Sequence, residues 1–130
     1  MNIKKNNMEI LTIAAVMEGM TGKKLPYLLG RAVSRNLARF KEEKELINEE
    51  RISICKECAK KDESGNPVIK DNEYLIEDKE LCNKKLNELF ETEVEIDVDM
   101  VTTEIIEKCD MEEFDTLTVE EAGVIDFMAG

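Results

Sequence analysis

The sequence predicts an α+β fold: a long helical hairpin with a small β-hairpin at its tip, then a short antiparallel sheet and a terminal helix. Three patterns carry this expectation. Apolar residues recur at steps of three and four from Leu29 to Cys58, the period of a helix with one buried face. A second helical stripe, Asp78 to Phe90, follows a loop rich in Gly, Asn and Pro that turns the chain back. Beyond it the period drops to two: Val94, Ile96, Val98 and Met100 alternate with Glu93, Glu95, Asp97 and Asp99, giving a strand with one apolar and one carboxylate face. At 130 residues and 42% apolar, the chain supports one core rather than two. Residues 1–130 therefore read as a single domain, with 22–90 as the helical hairpin and its β-tip and 91–130 as an acidic strand–helix segment.

In chain order, residues 6–20 read as a first helix or a strand–helix junction, through Met8, Ile10, Leu11, Ala14, Met17 and Met20. Ile10 to Ile13 alone also suits a strand. Gly19 and Gly22 bracket a break, and Pro26 fits the first turn of the next helix. That helix runs to about Lys60 on Leu29, Val33, Leu37, Phe40, Ile47, Ile54 and Cys58. Lys44 and Arg51 fill the gaps in its stripe by laying aliphatic stems along a partner. Asp62 to Pro67 ends it, because Pro67 holds its predecessor extended. Val68-Ile69 and Tyr74-Leu75-Ile76 make a short hairpin that must pack on something to persist. Leu81, Cys82, Leu86, Leu89 and Phe90 form the stripe of the return helix. After the strand, the chain either continues extended through Thr103 or becomes helical over Glu104 to Cys109. Thr118 and Glu121 make a capping box, opening a terminal helix from Val119 to Met128 that buries Val124, Ile125 and Phe127 or Met128.

Composition excludes several chemistries. Histidine is absent, which removes Ser-His-Asp and Cys-His catalysis and the commonest zinc ligand. Gly19 to Lys24 contains glycines and lysines but lacks the phosphate-cradle spacing. Carboxylates or a thiol acting as catalytic groups come with no recognisable base, so a non-enzymatic protein without cofactor is expected. The opening Met1 to Lys5 has a basic start but no small-residue cleavage site follows, and no apolar run approaches the roughly 20 residues of a membrane span. The four cysteines, Cys55, Cys58, Cys82 and Cys109, then read as reduced thiols. Cys55 and Cys58 have metal-ligand spacing, but no second pair accompanies them, and Cys82 and Cys109 stand alone. Buried or half-exposed helix thiols are the expected state.

Charge is unevenly spread within a net −12. Residues 90–130 hold one basic residue, Lys108, against 14 carboxylates. Glu93, Glu95, Asp97 and Asp99 point one way from their strand. Their spacing of about 6–7 Å is too wide to share one cation, so they read either as a solvated sheet face or as an acidic surface offered to a basic partner. Glu112 and Glu113 extend the same two readings. Arg31, Arg35 and Arg39, at i, i+4 and i+8, form one basic ridge, for which pairing with the chain's own acidic tail is the leading expectation, ahead of solvation, an acidic partner or phosphate.

Three segments, Phe40 to Ile47, Lys61 to Pro67 and Leu86 to Ile96, with the ending Leu117 to Glu121, resemble a family of small acidic proteins from phages and prophages of Gram-positive bacteria, the DUF1617-like type. The resemblance covers most of residues 25–128. It implies an infected bacterial cell as the setting, with the host cytoplasm or the virion as location. It supplies no catalytic residues. Two functions follow as expectations. One is a protein-binding module that inhibits a nucleic-acid-binding host defence complex, such as a CRISPR effector, through Glu93, Glu95, Asp97, Asp99, Glu112 and Glu113. The other is a virion or assembly accessory that self-associates along the long helix. The partner is a host or phage protein complex, or a second copy of the chain; neither direct nucleic-acid nor membrane binding is expected.

Overall fold

The structure, a computed structural model, describes residues 1–130. It is an α+β fold with five helices and two small antiparallel sheets. The chain gathers into two compact units, Met1–Lys44 with Glu93–Gly130, and Glu45–Thr92. No helix is long and apolar enough to cross a membrane.

The first unit begins with strand β1 (Asn2–Asn6) and helix α1 (Asn7–Met20). Asn6 fixes the junction. Its side chain accepts the Glu9 amide N–H at 2.8 Å, and the Glu9 carboxylate accepts the Asn6 N–H at 3.1 Å, so two amides left over at the helix start are satisfied together. Ile10 to Ile13 is therefore helical, not extended. Helix α2 spans Tyr27–Cys58 without interruption; at 1.5 Å per residue its 32 residues run about 48 Å. Its first half belongs to this unit and buries Leu29, Val33, Leu37 and Phe40. With Ile10, Met17, Met20, Ile125 and Met128 these make the core. Phe40 meets Phe127 edge to face, ring centres 5.8 Å apart.

Strand β4 (Glu93–Asp97) pairs with β1, Asn2 opposite Asp97 and Asn6 opposite Glu93. The strand pattern was expected to reach Met100 but ends at Asp97. Val98 is buried and its N–H donates to the Met1 carbonyl at 2.8 Å, while Asp99 leaves the ladder for α2. The helical alternative holds beyond: α4 covers Thr103–Glu107, capped by Thr102. The terminal helix is shorter than its pattern. α5 covers Val119–Val124, and Ile125–Met128 tightens into a 3-10 turn. There Val101 donates to the Met128 carbonyl at 2.8 Å and accepts from Gly130 at 2.9 Å, which fixes the last turn. The Thr118–Glu121 capping box is present, with both hydrogen bonds made.

In the second unit, the C-terminal half of α2 is followed by β2 (Ile69–Lys70), β3 (Glu73–Tyr74) and α3 (Lys79–Glu91). Asp71 and Asn72, both with positive φ, supply the two-residue turn whose twist suits a hairpin. The Lys60 N–H donates to Leu75 and the Glu77 N–H to Cys58, so the hairpin is tied to the end of α2. Asp78 caps α3 by accepting the Leu81 N–H at 3.0 Å. Lys85 pairs with Glu57, as expected of a helix running back along its predecessor. Ile47, Cys58, Cys82 and Leu89 are buried, whereas Leu81, assigned to the buried stripe by its spacing, is exposed.

Candidate functional site

β4 places Glu93, Glu95 and Asp97 outward and buries Ile96 on the opposite face. Alternation thus gives the carboxylate face that the sequence pattern anticipates. β1 is its neighbour, and the register sets Lys4 opposite Glu95, which offsets like-charge crowding along the strand. The Met1 ammonium donates to Asp97 Oδ1 at 2.9 Å and to the Val98 carbonyl at 3.3 Å. That hydrogen bond, with the charge of the ammonium behind it, holds the Asp97 carboxyl below its ordinary range. Both partners are largely solvated, so the contact fixes position more than it stabilises.

Asp99 has a different environment. Arg35 Nε lies 2.9 Å from Oδ2 and an Arg39 guanidinium nitrogen 3.1 Å from Oδ1. Between the two arginines on α2 sits Asn36, fully buried. Its amide nitrogen donates to the Asp99 carbonyl at 3.0 Å, and its amide oxygen accepts the Asp99 N–H at 2.8 Å. The oxygen also accepts from Arg39 at 3.1 Å. Asn36 thereby pairs with the backbone of Asp99 as a neighbouring strand would. Two of the three arginines in the basic ridge are thus bound to the chain's own acidic segment. Arg31, one turn earlier, is exposed and makes no ion pair.

Glu112 and Glu113 are exposed on the turn between α4 and α5. That turn is anchored next to them. Asp115 exchanges backbone contact with Lys24, its N–H donating to the Lys24 carbonyl at 2.8 Å and its carboxylate accepting the Lys24 N–H at 2.7 Å. Lys23 donates to Glu121 at 2.6 Å and to the Thr116 carbonyl at 3.0 Å. Burial pushes the Glu121 carboxyl up, but the Lys23 ammonium and the Thr118 N–H outweigh it and hold the group below its ordinary value.

The structure therefore sorts the nine residues singled out in the sequence. Arg35, Arg39 and Asp99 come together in one internal network. Asp97 is tied to the chain's amino group. Glu93, Glu95, Glu112 and Glu113 stay exposed with no basic side chain bonded to them, and Arg31 is an exposed cation. Asn36 went unnoticed, although its spacing of three from Val33 and four from Phe40 puts a polar group on the apolar stripe of α2. Lys4 and the Met1 ammonium also went unnoticed, because nothing local marks β1 as the partner of β4. No group of three or more metal-ligating side chains is arranged to hold an ion.

Comparison with protein-family models, with curated proteins and with solved structures finds no match to this chain.

Proposed function

We propose that this chain is a non-enzymatic protein-binding module of a bacterial phage. It acts sterically on a nucleic-acid-binding host defence complex, such as a CRISPR effector, by presenting carboxylates to a basic surface. The phage setting rests on the sequence resemblance. The observation that carries the mechanism is the division among the carboxylates. The fold uses Asp99 and Glu121 internally, yet Glu93, Glu95, Glu112 and Glu113 stand in solvent, in a segment with one basic residue. Exposed like charges on fixed elements steer a basic partner and set its orientation. Mutual attraction of this kind weakens with added salt.

The test is a fourfold reversal, Glu93→Lys, Glu95→Lys, Glu112→Lys and Glu113→Lys, assayed by capture from lysate of the infected host with identification of what is retained. The expected result is a nucleic-acid-binding complex retained by the natural chain, released by salt, and lost by the variant at unchanged circular dichroism. Equal capture by both chains would refute the electrostatic mechanism. A solution mass well above 14.9 kDa with nothing captured would favour the self-associating virion accessory instead. The exposure of Tyr27, Leu28, Leu46 and Ile52 along α2 gives that second reading its support.

A further inference from the structure

The backbone just after β4 leaves one pairing position open. Residues of an extended chain direct their N–H and C=O groups alternately to its two edges, and in an antiparallel pair every second residue exchanges both bonds with its opposite. Val98 makes such an exchange with Met1. Its N–H donates to the Met1 carbonyl at 2.8 Å, and its carbonyl accepts from the Met1 ammonium at 3.3 Å. Asp99 and Val101 bond elsewhere, Asp99 with the Asn36 amide at 2.8 and 3.0 Å and Val101 with Met128 and Gly130. By this alternation Met100 is the next residue on the edge that Val98 uses. Its N–H and C=O bond to nothing within the chain. Because Asp99 and Val101 are fixed on either side, a rigid donor and acceptor stand where the ladder would continue.

Met1 and Met100 both line a groove of about 600 Å³, whose other walls include Leu28, Arg31 and Arg35 of α2 and Ile105 of α4. All of these residues belong to one compact unit. Met1 and Leu28 are exposed, Met100 and Ile105 are half-buried, and Val98 and Val101 lie buried beneath. The charge of the groove is opposite to that of the chain. Asp99 is the one carboxylate in its lining, and both of its oxygens are engaged, Oδ2 by Arg35 and Oδ1 by Arg39. Those three side chains together carry one positive charge. Arg31, exposed and in no ion pair, adds a second, while the Met1 ammonium is matched by Asp97.

An exposed Leu or a solvated Arg is ordinary when it stands alone. Here an apolar wall, an excess of guanidinium charge and an open strand edge meet in one place. We propose that this groove docks an extended segment of a partner protein in which carboxylate residues stand beside large apolar ones. The segment pairs its backbone with the Met100 N–H and C=O, the main-chain part of strand addition. A carboxylate of the segment is held by Arg31 and Arg35, whose planar forks suit it. An apolar side chain rests on Leu28, Met100 and Ile105, where methionine adapts to the shape it meets. A fatty acid would match the charge and the apolar wall but would leave the Met100 backbone unpaired. The inference is independent of the acidic-surface function, since it uses other residues and a partner segment of the opposite charge.

The experiment titrates the full chain with the capped peptide acetyl-Leu-Glu-Leu-Glu-Leu-amide and follows its amide and arginine side-chain signals by NMR. The expected result is saturable binding with a dissociation constant at or below about 1 mM, which shifts the Met100 amide and the Arg31 and Arg35 side chains and weakens with added salt. The same peptide with Gln in place of both Glu residues should bind at least fivefold more weakly. Arg31→Glu should weaken the acidic peptide at least as much, at unchanged circular dichroism; the two peptides compared on the natural chain test the charge without any variant. Octanoate, which has the carboxylate and the apolar tail but no peptide backbone, should leave the Met100 amide unshifted. The proposal is overturned by no saturable binding at millimolar peptide, by equal affinity for the Glu and Gln peptides, by shifts confined to other surfaces, or by octanoate reproducing the Met100 shift.

Discussion

Glu121 is the only charged side chain in the buried set, alongside Asn7 and Asn36. A carboxylate is tolerated there because two donors converge on its Oε1. The Thr118 N–H donates to it at 2.8 Å and Lys23 at 2.6 Å, in place of the water it loses. Its acidity is increased by folding, since these donors favour the charged form more than burial opposes it. A group whose folded pKa lies below its unfolded value adds stability that is complete above the unfolded value. That stability is lost as pH falls through the folded one. Glu121→Gln keeps an oxygen for the Thr118 N–H and removes the charge. It should lower stability by about 1–2 kcal/mol at neutral pH. The gap between variant and natural chain should close as pH drops from about 5 through the acid range. Urea unfolding at several pH values measures this, and a gap that does not change down to about pH 3 would show that the Lys23 contact contributes nothing.

Helix α2 was legible as an element because its apolar steps continue over many turns, and no tertiary contact is needed to see them. The same is true of β4, whose period of two is strict, and of α5, whose capping box is local. β1 was not legible. Asn2 to Asn6 carries one apolar residue, Ile3, so no alternation can be read from it. Its strand state comes from β4, whose backbone N–H and C=O groups need a partner. The one local clue was Asn6 with Glu9 three residues on, a capping box that starts α1 at Asn7 and leaves the preceding residues extended. The site was legible to the same degree. Spacing placed Arg35 and Arg39 on one ridge, but their pairing with Asp99 spans about sixty positions and depends on Asn36 bridging two elements. One glycine in α2 also invites a test. Gly30 sits in the first turns, its N–H bonded to the Pro26 carbonyl at 2.9 Å. A Cβ built there meets only the Leu25 Cβ, at 3.9 Å, an ordinary contact. Gly30→Ala removes backbone freedom from the unfolded chain at no steric cost, so it should stabilise by about 0.5–1 kcal/mol. A raised denaturation midpoint at unchanged slope is the expected result, and a lowered midpoint would mean that the first turn of α2 needs the glycine.

Across the whole molecule, burial is shared unequally between the two compact units. The largest fully buried side chains, Phe40, Ile10, Met17, Met20, Leu29, Ile125, Met128, Val33 and Asn36, all belong to Met1–Lys44 with Glu93–Gly130. In Glu45–Thr92, the best-buried apolar residues are Ile47 and the small Ala59, each at 3% exposure, and the rest of its core is two cysteines and Leu89. Each buried aliphatic or aromatic side chain stabilises by about 1.5–3 kcal/mol, while ordering the backbone costs about 1–2 kcal/mol per residue. A unit with so few large buried side chains therefore has a small margin against local opening. The consequence is unusual for a single helix. α2 is continuous in geometry, yet its first half should be held at the free energy of global unfolding and its second half at much less. Hydrogen exchange read by mass spectrometry can resolve this. Amides of residues 29–43 should exchange slowest, together with those of α1, and amides of residues 47–58 and of α3 should exchange at least tenfold faster, through a shared opening of the smaller unit. Equal protection along α2 would mean that the smaller core suffices and that the chain opens only as one cooperative body.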